Sequence, residues 1–373
     1  MIAPEQFYRH LKKQGIDFFT GVPDSLFKNL LLYLQQQEDP SHHIITANEG
    51  QSVALAAGYY LATGRLPLVY LQNSGLGNIV NPLTSLTDKE AYSIPLLLLI
   101  GWRGIPGVKD EPQHKKMGRI TEQLLQTLEI PFYVLQADSD KSLAMVTEAA
   151  AKALELKQAV ALLVPGDIFE DYTATPPVDQ YPLGREEVIR QLVQQCKGDE
   201  VVVCTTGKTG REFYELNEAA GNKLPKNLLC VGAMGLANHI ALGLDMHQHH
   251  RVIMLDGDGA LLMHLGTLAT LGKQAGDSFL HIVINNGCHE SVGGQQTLGF
   301  DIDLCAIGKA CGYTATICIH NEKQLGDWLK SGFDKPGKQF VEIRVNAKSR
   351  TGLSRPKESP VERKEQLMQL LKK

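Results

Sequence analysis

Two short polar segments combine residue types that bind a divalent cation and a phosphate group. Asp258 offers a carboxylate and Asn286 an amide oxygen, and the backbone carbonyl of Cys288 is a candidate third donor. Magnesium prefers such hard oxygen ligands, takes few of them from protein, and completes its octahedron with phosphate oxygens. Gly257 and Gly259 flank the aspartate and allow the backbone to approach a phosphate closely. The expected chemistry is therefore a magnesium ion that holds a diphosphate.

Each polar segment follows an apolar run that predicts a buried strand, Val252–Leu255 for the first and Leu280–Ile284 for the second. Between the two strands, leucines at helical spacing predict one helix: Leu261, Leu262, Leu265, Leu268 and Leu271. A helix N-terminus favours an anion, and open α/β sheets bind ligands beyond the carboxyl ends of their strands. Taken alone, either polar segment is equally well explained as a turn. Their occurrence together at matching strand ends favours a ligand site.

Glu49 is a candidate proton-relay residue in the N-terminal half of the chain. It follows a predicted strand, Ile44–Thr46, and precedes an alanine-rich helix predicted over Gly50–Thr63. The alternative is that Glu49 only serves the helix N-terminus, where the helix dipole favours a negative charge. The magnesium and diphosphate segments elsewhere in the chain favour the catalytic interpretation.

These segments resemble the thiamine diphosphate-dependent 2-oxo acid decarboxylase superfamily in the GDG…NN pair, in NEGQSVALAAGYYLATGR (48–65) and in GAMG (232–235). The resemblance implies thiamine diphosphate and Mg²⁺ as cofactors, with Asp258, Asn286 and Cys288 as metal ligands. It implies that Glu49 hydrogen-bonds the aminopyrimidine ring and that Met234 supports a bent cofactor. The implied cofactor-binding residues are Glu49, Thr206, Gly207, Lys208, Gly232, Met234, Gly257, Asp258, Gly259, Ala260 and Asn286.

Further segments are similar to the phosphonopyruvate decarboxylases, with the sulfopyruvate decarboxylases as close relatives. They are GVPDSLFKNL (21–30), QNSGLGN (72–78), KDEPQHKKMG (109–118), TTGKTGRE (205–212) and NNGCHESVGGQ (285–295). The resemblance implies decarboxylation of a small anionic 2-oxo acid, 3-phosphonopyruvate, to phosphonoacetaldehyde and carbon dioxide in phosphonate biosynthesis. The alternatives are sulfopyruvate decarboxylation, a carboligase, and a non-catalytic cofactor-binding protein. The intact set of Glu49, Asp258 and Asn286 argues against the last.

A substrate with a carboxylate and a phosphonate must be held by cations or N–H groups. Basic residues are expected in a loop after the strand Leu96–Ile100, namely Lys109, His114, Lys115, Lys116 and Arg119. His114 is also the second candidate catalytic residue, because the pKa of histidine is readily tuned near neutrality. The alternative is that these charges are solvated surface. The expected substrate-binding residues are Asn73, Ser74, Lys109, His114 and Lys115.

The net charge and the cysteine content indicate which partners and which cellular compartment to expect. The formal net charge of the 373 residues is −4, which provides no attractive field for nucleic acid or an anionic membrane. The seven cysteines are odd in number, lie in the C-terminal half and form no CxxC pair. This pattern favours reduced thiols in a cytoplasm over disulfides or a zinc site.

The order of predicted elements defines the fold class. Short apolar runs alternate with helical patterns in both halves, which predicts an α/β protein with two doubly wound parallel-sheet domains. A polar, proline-rich stretch separates the halves. We expect a pyrimidine-binding domain at 1–170, a linker at 171–184 and a diphosphate-binding domain at 185–373. In the resembled superfamily these domains pair between chains, which implies a homo-oligomer with active sites between subunits.

Overall fold

The computed structural model describes residues 1–166, 168–174 and 180–372. The chain forms two compact units, the first of Met1–Pro176 with His289–Gln295, and the second of Pro177–Cys288 with Gln296–Lys373. The predicted linker at 171–184 lies partly outside the described residues, and the predicted domain boundaries stay predictions. No helix of the described residues is both long and apolar enough to cross a membrane.

The first unit is built on a six-stranded parallel sheet with strand order β2-β1-β3-β4-β6-β5. Its strands are β1 (Phe19–Gly21), β2 (His43–Ile45), β3 (Leu68–Gln72), β4 (Leu96–Gly101), β5 (Phe132–Val134) and β6 (Ala159–Val164). Along β4, Leu97 and Leu99 pack into one apolar cluster, whereas Leu96 and Leu98 pack into another. Since successive side chains of a strand point to opposite faces, both faces of this sheet are covered.

Helices cover those two faces. Their bounds are α1 (Pro4–Lys13), α2 (Lys28–Gln37), α3 (Glu49–Thr63), α4 (Leu76–Pro82), α5 (Pro112–Thr127) and α6 (Ser139–Leu156). Apolar residues of α1, α2 and α6 join the first cluster, and those of α3, α4 and α5 join the second. The Asn48 side chain accepts a hydrogen bond from Gly50 N and so begins α3 beside Glu49.

The second unit repeats this plan, with a six-stranded parallel sheet of order β13-β14-β10-β9-β7-β8. Its strands are β7 (Val201–Cys204), β8 (Asn227–Leu229), β9 (Val252–Gly257), β10 (Leu280–Asn285), β13 (Ala315–Ile319) and β14 (Gln339–Arg344). A separate ribbon is formed by β11 (Cys288–His289) and β12 (Gln295–Gln296).

The helices of the second unit are α7 (Arg185–Gln195), α8 (Lys208–Ala219), α9 (Ala237–His247), α10 (Asp258–Met263), α11 (Thr267–Gln274), α12 (Leu304–Cys311), α13 (Glu322–Ser331) and α14 (Pro360–Leu371). The single helix predicted after Gly259 is wrong, because α10 ends at Met263 and α11 starts at Thr267. His264 has φ −133° and ψ 50°, which breaks the helix, and Gly266 follows as the N-cap of α11.

The predicted α/β class with two parallel sheets is confirmed. The sequence patterns missed the three-residue strands β1 and β8, and also β13. β1 and β8 have three residues each, too few to show a periodicity on their own. Because each sheet is parallel, the carboxyl ends of its strands share one edge of that sheet, and Glu49 and Asp258 each follow a strand at such an edge.

Candidate active site

Asp258 lies at the carboxyl edge of the second sheet, directly after β9. Its side chain is buried, with 2% exposure. The Asn286 N–H donates to Asp258 Oδ1 at 3.4 Å, and the Thr297 hydroxyl donates to Oδ2. The Cys288 N–H donates to Asn286 Oδ1 at 3.2 Å. The structure therefore brings together the three residues that the sequence predicts as metal ligands.

The surroundings of Asp258 fit a divalent cation. Burial raises the pKa of Asp258 to about 6, although the bonds from Thr297 and Asn286 oppose that rise. Both of these donors are neutral, and they offset only part of the cost of a buried charge. A cation with hard-ligand preference would do so. The oxygen donor set and its burial therefore suit Mg²⁺.

Gly299 is a site residue that the sequence patterns did not reveal. A Cβ there would lie 2.8 Å from Asp258 Oδ2 and 2.6 Å from Asn285 Oδ1, too close for any side chain. Asn285 Nδ2 donates to Gly299 O at 2.7 Å and so holds this backbone against the aspartate. Thr297 and Gly299 belong to no recognised motif. Their contacts with Asp258 are visible only in the folded chain.

The end of β7 lies beside β9 and carries the predicted diphosphate-binding residues. Thr205 Oγ1 is buried and has no hydrogen-bond partner among the described residues. Thr206 Oγ1 accepts from Gly232 N at 3.3 Å, and Gly207 has φ 99°, a backbone conformation that favours glycine. A buried hydroxyl without a partner suits a ligand oxygen. Lys208 begins α8, and its Nζ donates to Ser349 Oγ at 2.7 Å.

The loop that carries Met234 is tightly constrained. Gly232, Ala233 and Gly235 have φ of 69°, 46° and 82°. A Cβ at Gly235 would lie 2.6 Å from the backbone oxygen of Ala260, so the loop packs directly on α10. Met234 itself is half-buried. The structure thus places Met234 beside the helix that begins with Asp258, Gly259 and Ala260.

In the first unit, Glu49 lies at the carboxyl edge of the sheet, as the first residue of α3. Its side chain is 5% exposed, and Asn78 Nδ2 donates to Glu49 Oε2 at 2.7 Å. A Cβ at Gly75 would collide with the Glu49 carboxyl group. Burial raises the pKa of Glu49, and the Asn78 bond opposes part of that rise. Asn78 and Gly75 both lie in the segment QNSGLGN, whose contact with Glu49 needs the fold to be seen.

Asp24 is a second buried acid on the same edge, and no local sequence pattern points to a role for it. It follows β1 and is fully buried. Leu26 N donates to Asp24 Oδ1 at 2.9 Å, and Gln72 Nε2 donates to Oδ2 at 2.5 Å. Burial raises the pKa of Asp24, against these hydrogen bonds. The predicted residue Ser74 joins this group, because its hydroxyl donates to Gln72 Oε1 at 2.6 Å.

Asn73 connects β3 to the segment that follows β4. Its buried amide donates to the Arg103 carbonyl at 2.9 Å and to Thr121 Oγ1 at 3.0 Å. Asn73 Oδ1 also accepts from Arg103 N at 3.1 Å. The structure thus shows Asn73 fixing the position of Arg103, and its predicted contact with substrate stays a prediction.

The basic loop predicted after β4 is wrong in part, because His114, Lys115, Lys116 and Arg119 lie on α5. Glu111 precedes α5, and Pro112 is favoured in its first turn. His114 is 9% exposed, and its Nδ1 is buried without a hydrogen-bond partner among the described residues. Burial and the nearby Arg103 charge lower the pKa of His114. Lys109 and Lys115 are exposed.

Comparison with known families matches both units. Residues 1–125 match the family "Thiamine pyrophosphate enzyme, N-terminal TPP binding domain". Residues 203–343 match "Thiamine pyrophosphate enzyme, C-terminal TPP binding domain". The fold, the two carboxyl edges and these matches define a thiamine diphosphate-dependent enzyme.

Similar curated proteins narrow this class. Phosphonopyruvate decarboxylase of Streptomyces viridochromogenes is 35% identical, over 97% of this chain and 93% of that protein. Phosphonopyruvate decarboxylase of Streptomyces hygroscopicus is 33% identical, over 97% and 92%. Sulfopyruvate decarboxylase of Methanosarcina acetivorans is 29% identical, over 87% and 86%. The chain belongs to the phosphonopyruvate decarboxylase family and is a thiamine diphosphate-dependent decarboxylase.

Proposed function

We propose that this enzyme converts 3-phosphonopyruvate to phosphonoacetaldehyde and carbon dioxide, with Mg²⁺ as the metal that holds thiamine diphosphate. The observation that carries the substrate is the bidentate pairing of Arg103 with the Asp110 carboxylate, at the sheet edge that also holds Glu49. The greater identity to the two phosphonopyruvate decarboxylases than to the sulfopyruvate decarboxylase supports the same choice.

The Arg103 site is already arranged around a negative charge. Arg103 Nε and Nη2 donate to the two oxygens of Asp110 at 2.8 and 2.5 Å. Gly104 N and Glu111 N donate to the same carboxylate at 2.8 and 2.7 Å. Burial opposes ionisation of Asp110, but these bonds outweigh it and hold its pKa well below the ordinary value. A bidentate guanidinium contact, together with backbone N–H donors, is also the geometry that binds a phosphonate or sulfonate.

The position of this site suits the second anionic group of a small 2-oxo acid. Arg103 follows β4, Asn73 follows the adjacent β3, and the Asn73 side chain binds the Arg103 backbone. Gly75 in the same segment packs on Glu49. We assign Asp110 the role of an internal anion that orders Arg103 and gives way to the substrate phosphonate.

Bound thiamine diphosphate supplies the carbon nucleophile and the electron sink that decarboxylation requires. Asp258, Asn286 and the Cys288 carbonyl would hold Mg²⁺, while Thr205, Thr206, Gly207 and Lys208 would contact the diphosphate. Glu49 would hydrogen-bond the cofactor ring and hold a proton there. Asp24 and His114 are buried, titratable and close to Arg103, so they deliver protons on the substrate side.

A substrate comparison tests this proposal. Phosphonopyruvate, sulfopyruvate and pyruvate are assayed with the wild type, Arg103→Leu and the control Lys13→Ala, which removes an exposed charge of the first unit. We expect the wild type to prefer phosphonopyruvate, and Arg103→Leu to lose about a hundredfold in kcat/KM for it but little for pyruvate. Asp110→Asn should keep the phosphonate preference. Preference for sulfopyruvate in the wild type would show the alternative function. An equal loss of kcat/KM on pyruvate in Arg103→Leu would show that Arg103 does not determine substrate specificity.

We also propose that the active enzyme is a homo-oligomer in which Glu49 and Asp258 of different chains complete one site. Three apolar residues close to Met234 in the sequence are exposed, namely Val231 (45%), Leu236 (42%) and Ile240 (41%). Such apolar surface suits a contact between subunits. Mixing inactive Glu49→Gln and Asp258→Ala chains, with subunit exchange verified by mass spectrometry, should restore part of the activity. Mixtures that never exceed the parent proteins despite proven exchange would refute the shared site.

A further inference from the structure

Cys305, Cys318 and Glu342 form a cluster of ligand-type atoms in the second unit, apart from Asp258. The two sulfurs and one carboxylate oxygen all lie within 4.8 Å of one another. The Cys318 thiol donates to Glu342 Oε2 at 3.4 Å, and the Cys305 sulfur lies within 4.8 Å of the Cys318 sulfur. We refer to these three residues as the thiol cluster.

The sheet fixes the positions of two members of the thiol cluster. Cys318 on β13 and Glu342 on β14 are direct partners in the parallel register. Cys305 is the second residue of α12, whose first turn is fixed by the Asp303 side chain, which accepts from Ala306 N. The ligand atoms are therefore brought together by regular structure and not by a mobile loop.

The carboxylate of the thiol cluster is oriented as a metal ligand would be. Glu342 is buried, and its Oε1 accepts from Asn285 Nδ2 at 2.8 Å and from Arg344 Nε at 2.7 Å. These bonds leave Oε2 directed at the thiols. Hydrogen bonds of this kind to the far oxygen set the orientation of metal-binding carboxylates.

The charges and dimensions of the thiol cluster fit a thiophilic divalent cation. Two thiolates and one carboxylate carry three negative charges, and a divalent ion with the adjacent Arg344 balances them. Tetrahedral zinc with sulfur and oxygen ligands places ligand atoms about 3.3–3.8 Å apart, so the present spacing needs only small shifts. Both cysteines are half-buried, which leaves a path for the ion to enter.

We propose that Cys305, Cys318 and Glu342 bind a zinc-class cation that ties the edge strand β13 to α12 and β14. The sequence gives no hint of it, because the two cysteines form no CxxC pair and Glu342 is distant along the chain. An edge strand has a hydrogen-bonded partner strand on one side only, and a metal ion bound by Cys318 would restrain β13. Asn285 contacts Glu342 and precedes Asn286, so the metal ion would also stabilise the segment that carries Asn286.

The test uses the reduced enzyme with thiamine diphosphate and Mg²⁺ bound, titrated with Co²⁺ as a spectroscopic probe and then with Zn²⁺ against a chromophoric chelator. We expect one equivalent per chain, a thiolate-to-cobalt charge-transfer band, and a Tm that rises with Zn²⁺. Cys318→Ser and Cys305→Ser should each weaken Zn²⁺ binding more than about tenfold. The control Cys311→Ser, on the same helix, should bind like the wild type.

Several results would overturn the zinc proposal. They are the absence of a charge-transfer band in the wild type, an unchanged band in both Cys318→Ser and Cys305→Ser, or an equal loss in Cys311→Ser. A Cys305–Cys318 disulfide that persists under reductant would also overturn it. Circular dichroism of each variant confirms that it is folded, and Cys305→Ser serves as the second variant if Cys318→Ser does not fold.

Discussion

The carboxyl edges of the two sheets bury acids in similar positions but surround them with different partners. Glu49 and Asp24 receive amide donors from Asn78 and Gln72, and the titratable His114 lies nearby. Asp258 receives a hydroxyl and a backbone N–H. We propose that the carboxyl edge supports proton transfer in the first unit and cation binding in the second. The residues after the neighbouring strands decide which, and the fold does not.

The largest expected effect is loss of the cation anchor. Asp258→Ala should weaken binding of Mg²⁺ and thiamine diphosphate by more than about a hundredfold, the upper cost of losing a residue that only orients a metal ligand. Isothermal titration calorimetry measures this, with Asp277→Ala, an exposed change in the same βαβ unit, as the control. Unchanged affinity of Asp258→Ala for Mg²⁺ and thiamine diphosphate would show that Asp258 does not anchor the cofactor.

The next effect concerns proton delivery in the first unit. Asp24→Asn should lower kcat about a hundredfold, within the usual range for a lost general acid or base, and leave cofactor affinity close to that of the wild type. Steady-state kinetics with calorimetry separates these two quantities. Asp39→Asn, an exposed change in the same unit, provides the comparison. A variant that loses cofactor affinity and turnover together would show a structural role for Asp24.

A smaller effect is expected at Thr205, whose buried hydroxyl has no partner among the described residues. Thr205→Val keeps the shape and should weaken thiamine diphosphate binding about two- to tenfold, the worth of one hydrogen bond. The apoprotein should be no less stable, because an unsatisfied buried hydroxyl is removed. Tighter cofactor binding by Thr205→Val would exclude a ligand contact.

The smallest effect is on stability and its pH dependence. The folded-state pKa of Glu49 is raised above 4.5 by burial, so its contribution to stability is present below pH 4.5 and lost as pH rises through the raised pKa. Glu49→Gln apoprotein should therefore have a higher Tm than the wild type at neutral pH, with an advantage that shrinks as pH falls to 4.5. Thermal unfolding across this range, with Glu148→Gln as control, provides the measurement. A Tm advantage that grows toward acid pH would contradict the raised pKa.

Much of the second unit could be predicted from sequence because its site residues are close to strands along the chain. Asp258 follows a six-residue apolar strand, and Asn286 follows another. Thr297 and Gly299 could not be predicted, because they are distant from Asp258 in the sequence and contact it only in the folded chain. The helix after Gly259 was predicted as continuous because its leucine spacing conceals the break at His264.

The first unit is harder to predict where long-range contacts form the candidate site. Glu49 is a candidate from sequence because a predicted strand and an alanine-rich helix flank it. Arg103 and Asp24 were missed, because no local pattern shows that a charge will be buried or what will bind it. His114 was predicted in a loop, whereas Pro112 in the first turn of α5 is the signal that could have placed it on a helix.

The most direct test of the contrast between the two edges is hydrogen–deuterium exchange at the reactive carbon of bound thiamine diphosphate, followed by NMR after acid quench. In Glu49→Gln, calorimetry should show cofactor affinity close to the wild type, since the anchor lies in the other unit. Exchange should be slower by about a hundredfold to ten-thousandfold. Wild-type exchange in Glu49→Gln, or a loss of cofactor binding as large as in Asp258→Ala, would contradict the division between proton transfer and anchoring.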